Sequence, residues 1–434
     1  MSELIIPAEV PVLRELRKSR LDGLARRLLF SLLRKLERGR ITVVDDGVSE
    51  TFGVRNERFP LEATITVHHS RFYGSALLGG SIGAAEAYMA GYWSADDLTT
   101  LIRIVLLNQE VFAGMDRGWS RLSAPLHKLF HFFRRNTKGG SRENIFAHYD
   151  LGNDFYSLFL DETLTYSCAI FPCGESTLAE ASLAKYDRIC RKLELSPADH
   201  VLEIGTGWGG FAIHAGRTYG CRVTTTTISR AQHDLAKERI REAGVADRVE
   251  LLFEDYRDLK GGYDKLVSIE MIEAVGHQYL ETFFQVCGRL LKEDGMMALQ
   301  AITIADHAFE SHARSVDFIK RYIFPGSCIP SVAAMCGAVA RATDLRLVHL
   351  EDITPHYSRT LHSWRERFFA NVDRVRALGY PESFIRMWEY YLCYCEGGFL
   401  ERYLGDVQML FAKPLWRGEA PLPDLLREAS SCSR

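Results

Sequence analysis

Paired cysteines are missing from this sequence. Ten cysteines are scattered over 434 residues with no CxxC spacing, which excludes a zinc ribbon or a disulfide frame and predicts reduced intracellular thiols. Charge of one sign is missing too. Lys plus Arg number 53 against 56 Asp plus Glu, a net charge of -3, so no global field draws the chain to nucleic acid and any anionic surface must be met by local patches. No run approaches the roughly 18 uncharged apolar residues of a membrane-spanning helix. The start, MSELIIPAEVPVL, lacks the basic and apolar regions of a signal peptide. These absences predict a cytoplasmic protein that can lie on a bilayer without crossing it. No internal repeat or low-complexity tract is present, and no metal-ligand set is expected.

What is present falls into three regions. Leu21, Leu24, Ala25, Leu28, Leu29, Leu32 and Leu36 recur at helical spacing with Arg26, Arg27, Arg34 and Lys35 between them, which predicts a basic amphipathic helix. Alternating segments from Ile41 and Glu62 predict strands, and a helical stretch is expected from Ile82 to Val111. Residues 117–142 mix Arg117, Arg121, Lys128, Arg134, Arg135, Lys138 and Arg142 with apolar residues such as Phe130, Phe132 and Phe133, a basic aromatic linker. Beyond Ser196 the pattern becomes strand, helix, strand, the signature of a parallel sheet with crossover helices. Strands are predicted at His200 to Ile204, Arg222 to Ile228, Val249 to Phe253, Lys265 to Ile269 and Met296 to Ile304. Helices are predicted at Ala231 to Ala243 and Gln278 to Leu291, and two late strands at Leu347 to Glu351 and Gln408 to Ala412.

The strongest chemical signal is Val201-Leu-Glu203-Ile-Gly205-Thr-Gly207-Trp-Gly209-Gly210, a strand running into a glycine turn and then a helix. Such a turn lets backbone approach a ligand at the carboxyl end of the strand. It also satisfies GxGxxG, yet the place where a dinucleotide fold puts its ribose-binding acid reads Thr224 to Thr227 and then Ile228, with no carboxylate. Glu203 instead makes the E-x-G-x-G form usual in class I methyltransferases, and Glu254-Asp255 closes the third strand where those enzymes meet adenine. S-adenosylmethionine is therefore favoured over nicotinamide or flavin.

Thr227-Ile-Ser229 followed by Gln232 resembles the T-[IL]-S-x-x-Q segment of the cyclopropane-fatty-acid and mycolic acid cyclopropane synthases. The segments from His148 to Tyr156, Leu164 to Cys168, Tyr256 to Leu259, Glu273 to Gly276, Tyr322 to Gly326 and Tyr357 to Trp364 resemble that family in the same order. The likeness covers the chain from His148 onward. It implies an α/β fold: a Rossmann-like parallel sheet of the class I methyltransferase kind with helical insertions, plus a smaller α+β N-terminal domain. The expected partition is a lipid-binding-like domain at 1–115, a basic linker at 116–142 and an S-adenosylmethionine-dependent catalytic domain at 143–434.

The resemblance implies roles as well. Tyr166 and Ser167 would lie along the methionine end of S-adenosylmethionine above Gly205 and Gly207. Thr227, Ile228 and Gln232 would meet ribose and adenine, with Asp255 and Tyr256 at the third strand. Cys168, Glu273, Ile302, Tyr357 and Gln300 correspond to positions that hold a bicarbonate ion beside the reacting carbon. Gln300 departs from the family's usual histidine, keeping an amide donor but no titratable proton. Glu270 stands where mycolic acid cyclopropane synthases carry glycine, and Ala274 where many members carry histidine. The sequence assigns neither a role. His148, Asp150 and Asn153 are expected either to cap or orient their segment over the cofactor or to serve as turn and helix-start residues.

Without that context Cys168 reads as a small buried hydrophobe, Glu273 as a loop acid and Tyr357 as a packing tyrosine. The activity implied is a cyclopropane-fatty-acyl-phospholipid synthase. The alternatives are a sister enzyme making methyl- or methylene-branched or furan-precursor lipids, and a noncatalytic lipid-binding module. An alkene is a weak nucleophile, so such a site must align the reacting carbons, shield a carbocation and supply a base. The partners expected are unsaturated phospholipid acyl chains, an anionic membrane surface met peripherally from the cytoplasmic face, and a second copy of the chain in a homodimer. Nucleic acid is not among them.

Overall fold

A computed structural model describes residues 20–112 and 151–418, in two compact units. The basic linker, His148 and Asp150 lie outside the described residues. One unit contains residues 20–112 together with 315–325 and 368–403. The amphipathic helix is present as Arg20–Leu33, burying Ala25, Leu29, Phe30 and Leu33. Phe30 meets Phe52 and Tyr73 edge-on. Four strands, β1 (Gly39–Asp45), β2 (Val48–Val54), β3 (Glu62–Val67) and β4 (Trp93–Ala95), form a sheet in the order β2-β1-β3-β4.

The single helical stretch expected from Ile82 to Val111 is corrected. Helix Arg71–Met89 starts earlier and is broken at Gly80, which holds φ 58 and ψ -142. Strand β4 then intervenes before helix Leu98–Leu107. Helical spacing alone could not reveal β4, because a three-residue strand carries too little period. The late helix Glu382–Leu400 belongs to this unit: Arg386 donates to the carbonyls of Tyr88 (2.5 Å) and Trp93 (2.6 Å), and Tyr88 donates its hydroxyl to Glu389 at 2.7 Å.

The other unit contains residues 151–314, 326–367 and 404–418 among those described. Its sheet has seven strands, β5 (His200–Ile204), β6 (Arg222–Thr226), β7 (Val249–Leu252), β8 (Tyr263–Ile269), β9 (Leu291–Ile304), β10 (Arg346–Asp352) and β11 (Leu404–Ala412), in the order β10-β11-β9-β8-β5-β6-β7. The strands from β9 to β7 pair in parallel, and β11 runs antiparallel between β9 and β10. Apolar runs make these strands because both faces are covered. Val201, Val223, Val267, Met296 and Leu410 enter one core cluster, while Leu202, Leu266, Met297 and Met409 enter the other, as a period of two requires. Helices are inserted after β9, at Asp306–Arg314 and Val332–Ala342, and after β10, at Thr354–Ala370. Among the described residues no helix is long and apolar enough to cross a membrane.

Candidate active site

The site forms at the carboxyl ends of β5, β6, β8 and β9, where an open parallel sheet leaves a crevice. After β5 the chain turns through Gly205 (φ 103), Gly207 (φ 54) and Gly209 (φ 86). The amides of Gly205 and Thr206 both donate to the Thr226 carbonyl at 3.1 Å. A side chain at Gly205 would meet Met271 at 3.3 Å, whereas Gly207 faces open space. A half-buried glycine turn of this kind, open at Gly207, fits the methionine end of S-adenosylmethionine.

At the end of β6, Thr227 donates its hydroxyl to Gln232 at 3.0 Å and accepts from the Ser229 amide at 3.1 Å. The Ser229 side chain caps helix Arg230–Glu242. Asp255 is nearly buried and held by Arg257 at 2.7 Å, so its carboxylate is a turn anchor and leaves Tyr256, packed edge-on against Phe283, at the rim. The 151–168 segment is fastened above the glycine turn. Asn153 accepts from the Trp208 indole at 2.7 Å and donates to the Ala231 carbonyl, and Arg239 bridges the carbonyls of Thr163 and Trp208. Tyr166 lies among Tyr156, Phe159 and Trp364.

Three of the residues expected around an anion converge on one carboxylate, that of Glu270. Glu270 accepts from the Cys168 amide (2.8 Å) and the Gln300 side-chain amide (2.8 Å) on Oε1, and from the Tyr357 hydroxyl (2.6 Å) on Oε2. Glu273 is separate: its Oε1 accepts from the Ile302 amide at 2.5 Å, while Oε2 is buried without a partner. Burial, reinforced by Glu270, pushes the Glu273 carboxyl up to about 8. The strand register brings in Asp406 beside Ile302 and Gln408 opposite Gln300. Asp406 is fully buried, and burial together with Glu270 and Glu273 holds its carboxyl well above the usual range.

Helix Leu178–Lys192, started by a Thr177/Glu180 capping box, turns Lys185, Arg188 and Lys192 to one side. Fully buried Lys185 donates to Ser167 at 2.7 Å, and burial lowers its ammonium to about 8 despite nearby Glu270 and Asp406. Lys192 donates to Gln408 (2.7 Å) and to Glu351 (2.6 Å), and Arg188 also pairs with Glu351. Glu203 lies under the glycine turn, only 3% exposed, accepting from Thr225 at 2.6 Å. Burial raises its carboxyl to about 8, with Thr225 and Lys185 opposing.

The structure thus gathers Cys168, Gln300 and Tyr357 on one carboxylate, puts Glu273 with Ile302, and leaves Tyr166, Ser167, Gly205, Gly207, Thr227, Ile228 and Gln232 along the sheet edge. Sequence reasoning missed Lys185, Asp406 and Gln408, and it left Glu270 without a role. The departure of Glu270 from glycine was a usable signal. Asp406 lies before the strand expected at Gln408 to Ala412, and Gln408 was read only as a strand residue.

A family model described as mycolic acid cyclopropane synthetase matches residues 136–409. The chain is 40% identical over 336 residues to the tuberculostearic acid methyltransferase UfaA1 of Mycobacterium tuberculosis, covering 76% of this chain and 78% of that protein. It is 35% identical over 362 residues to the cyclopropane-fatty-acyl-phospholipid synthase of Escherichia coli, covering 82% and 89%. Among solved structures, the mycolic acid cyclopropane synthase CmaA1 complexed with SAH and CTAB superposes with a TM-score of 0.59 at 32% identity, over 63% of this chain and 98% of that one. The seven-stranded unit has the class I methyltransferase fold.

Proposed function

Because this chain belongs to the mycolic acid cyclopropane synthetase family of S-adenosylmethionine-dependent methyltransferases, we propose that it adds a one-carbon unit to the cis double bond of an unsaturated phospholipid acyl chain, closing a cyclopropane ring. One observation carries the reading: a buried cluster of carboxyl, tyrosine and cysteine groups sits at the end of β8, directly beside the glycine turn of β5. The cofactor, when bound, supplies an electrophilic methyl carbon for the alkene to attack. Gly205 and Gly207 would offer it backbone, and Tyr166 and Ser167 would lie along its methionine end, with Ser167 oriented by Lys185. Thr227, Ile228 and Gln232 meet its ribose and adenine, with Asp255 and Tyr256 shaping the rim.

The methyl transfer leaves a carbocation on the lipid. The Tyr166, Trp364 and Tyr357 rings, with Tyr357 and Trp364 perpendicular at 6.2 Å, present faces and edges suited to shielding such a cation from water. Glu273 anchors the Ile302 backbone beside it. A second reading, a methyl- or methylene-branched product, is favoured by the 40% identity to a protein named as a tuberculostearic acid methyltransferase.

Delivery from a membrane is part of the proposal. Leu24 (55% exposed) and Leu28 flank exposed Arg27 on the first helix, an apolar and basic edge suited to an anionic bilayer surface. Arg26, expected to join that patch, is spent internally on Asp45 and Glu50.

Mass spectrometry of lipids from a host expressing the protein tests the reading. Cyclopropane and methylene products both gain about 14 mass units, as methyl transfer followed by proton loss requires, and only the methylene product takes up hydrogen under mild catalysis. If no unsaturated lipid gains mass while a soluble acceptor does, the acyl-chain proposal is wrong.

A further inference from the structure

Around the expected anion site the chain carries Glu270 where the mycolic acid cyclopropane synthases carry glycine, and Gln300 where the family's usual residue is histidine. In the structure these two side chains touch, at 2.8 Å. Glu270 adopts φ 48, a left-handed conformation that suits glycine at this position and strains a glutamate. Strain of that kind persists only where other contacts hold it. Here the Cys168 amide, the Gln300 amide and the Tyr357 hydroxyl all end on this one carboxylate.

Those donors are the ones that would hold bicarbonate, and they are already used. A second anion would also lie against the Glu270 carboxylate, where like charges in a buried site repel strongly. The residues present therefore do not fit a bicarbonate ion. Burial favours the neutral forms of Asp406 and Glu273, whereas three donors end on Glu270, the surroundings that suit a carboxylate acting as a base. Gln300 suits this arrangement better than histidine does. Its amide donates to Glu270 and cannot become a cation that would quench a neighbouring base, and its own carbonyl is held by Gln408 at 3.0 Å.

We propose that Glu270 is the general base of this enzyme, a carboxylate tethered to the chain in the place that a free bicarbonate ion would otherwise take. The proposal rests on the one-carbon transfer reading above. In the step, the alkene pair forms a bond to the incoming methyl carbon while the carbon–sulfur pair stays on sulfur, leaving a cation on the adjacent lipid carbon. A C–H bond of the new methyl group then breaks, its electron pair closes the ring, and the proton passes to Glu270, which becomes a neutral carboxylic acid. For a methylene product, hydride shift precedes loss of the same methyl proton. No further reactant is required.

The experiment compares wild type, Glu270→Gln and Glu270→Gly in carbon-dioxide-free buffer, with and without added bicarbonate. It measures turnover on vesicles of unsaturated phospholipid, together with calorimetric binding of S-adenosylhomocysteine and of bicarbonate. Wild type is expected to turn over equally with and without bicarbonate and to bind none. Glu270→Gln should lose on the order of 10²–10⁴-fold in turnover, bind the cofactor product normally and gain nothing from bicarbonate. Glu270→Gly, relaxed at its positive φ and with three donors freed, should bind bicarbonate and recover turnover with it. Wild type that binds or is accelerated by bicarbonate, or Glu270→Gln at the wild-type rate, overturns the proposal. If wild type converts no unsaturated lipid, the transfer reading fails, and the bicarbonate-binding contrast between wild type and Glu270→Gly still decides whether Glu270 fills the anion site.

Discussion

Replacing Glu203 by glutamine should change how stability depends on pH. The carboxyl is 3% exposed and accepts a hydrogen bond from Thr225, and burial lifts it from 4.5 in the unfolded chain to about 8 in the folded one. Between those values the folded protein keeps a proton that the unfolded chain has released. Stability is therefore present in full below about 4.5 and declines as pH rises toward 8. At about 1.4 kcal/mol per pH unit, the interval from 4.5 to about 8 amounts to an order of 5 kcal/mol. Glutamine keeps a carbonyl for Thr225 and cannot ionise, so Glu203→Gln removes this slope and adds at most a pH-independent offset of about 1–3 kcal/mol for its extra N–H. Denaturant unfolding of both proteins, without cofactor, at several pH values from about 5 to about 9 gives the difference in stability, in which the titrations of groups not coupled to Glu203, Glu273 and Asp406 among them, cancel. The variant should gain on wild type by several kcal/mol across the range. A difference that stays constant with pH would mean that Glu203 is already ionised in the folded protein, and the account of its burial would be wrong.

Tyr357→Phe removes one charge-assisted hydrogen bond to Glu270 while keeping the ring against Trp364. Turnover should fall about 10–100-fold, the kinetic equivalent of about 1.5–3 kcal/mol, with cofactor affinity unchanged by calorimetry; equal loss of affinity would place Tyr357 in the cofactor pocket. Gln300→Leu fills the same space but strips a donor from Glu270 and orphans the buried Gln408 amide. It should lower stability by about 2–5 kcal/mol in denaturant unfolding, and a silent substitution would mean that the amide network contributes nothing. Sedimentation with vesicles tests the docking edge: binding should favour anionic over neutral phospholipid, weaken as salt rises and fall on Arg27→Glu. Binding indifferent to headgroup charge and salt would remove the electrostatic part of that proposal.

The apolar runs and the glycine turn were legible in the sequence because they are local. A period of two makes β5, β6 and β8 wherever they pack, and no residue but glycine takes φ 103 readily, so the ligand edge of the sheet could be read from Glu203 to Gly209. The ordered family segments added Cys168, Glu273, Gln300 and Tyr357. Only the tertiary structure decided what those side chains do to one another. The register of β11 against β9 brings Asp406 and Gln408 to Ile302 and Gln300 across more than a hundred residues, and helix Leu178–Lys192 inserts Lys185 from another direction. Glu270 had a place in the sequence but no partner. A carboxylate's role depends on which donors and charges surround it, and the backbone at φ 48 aims this one into three donors from three separate segments.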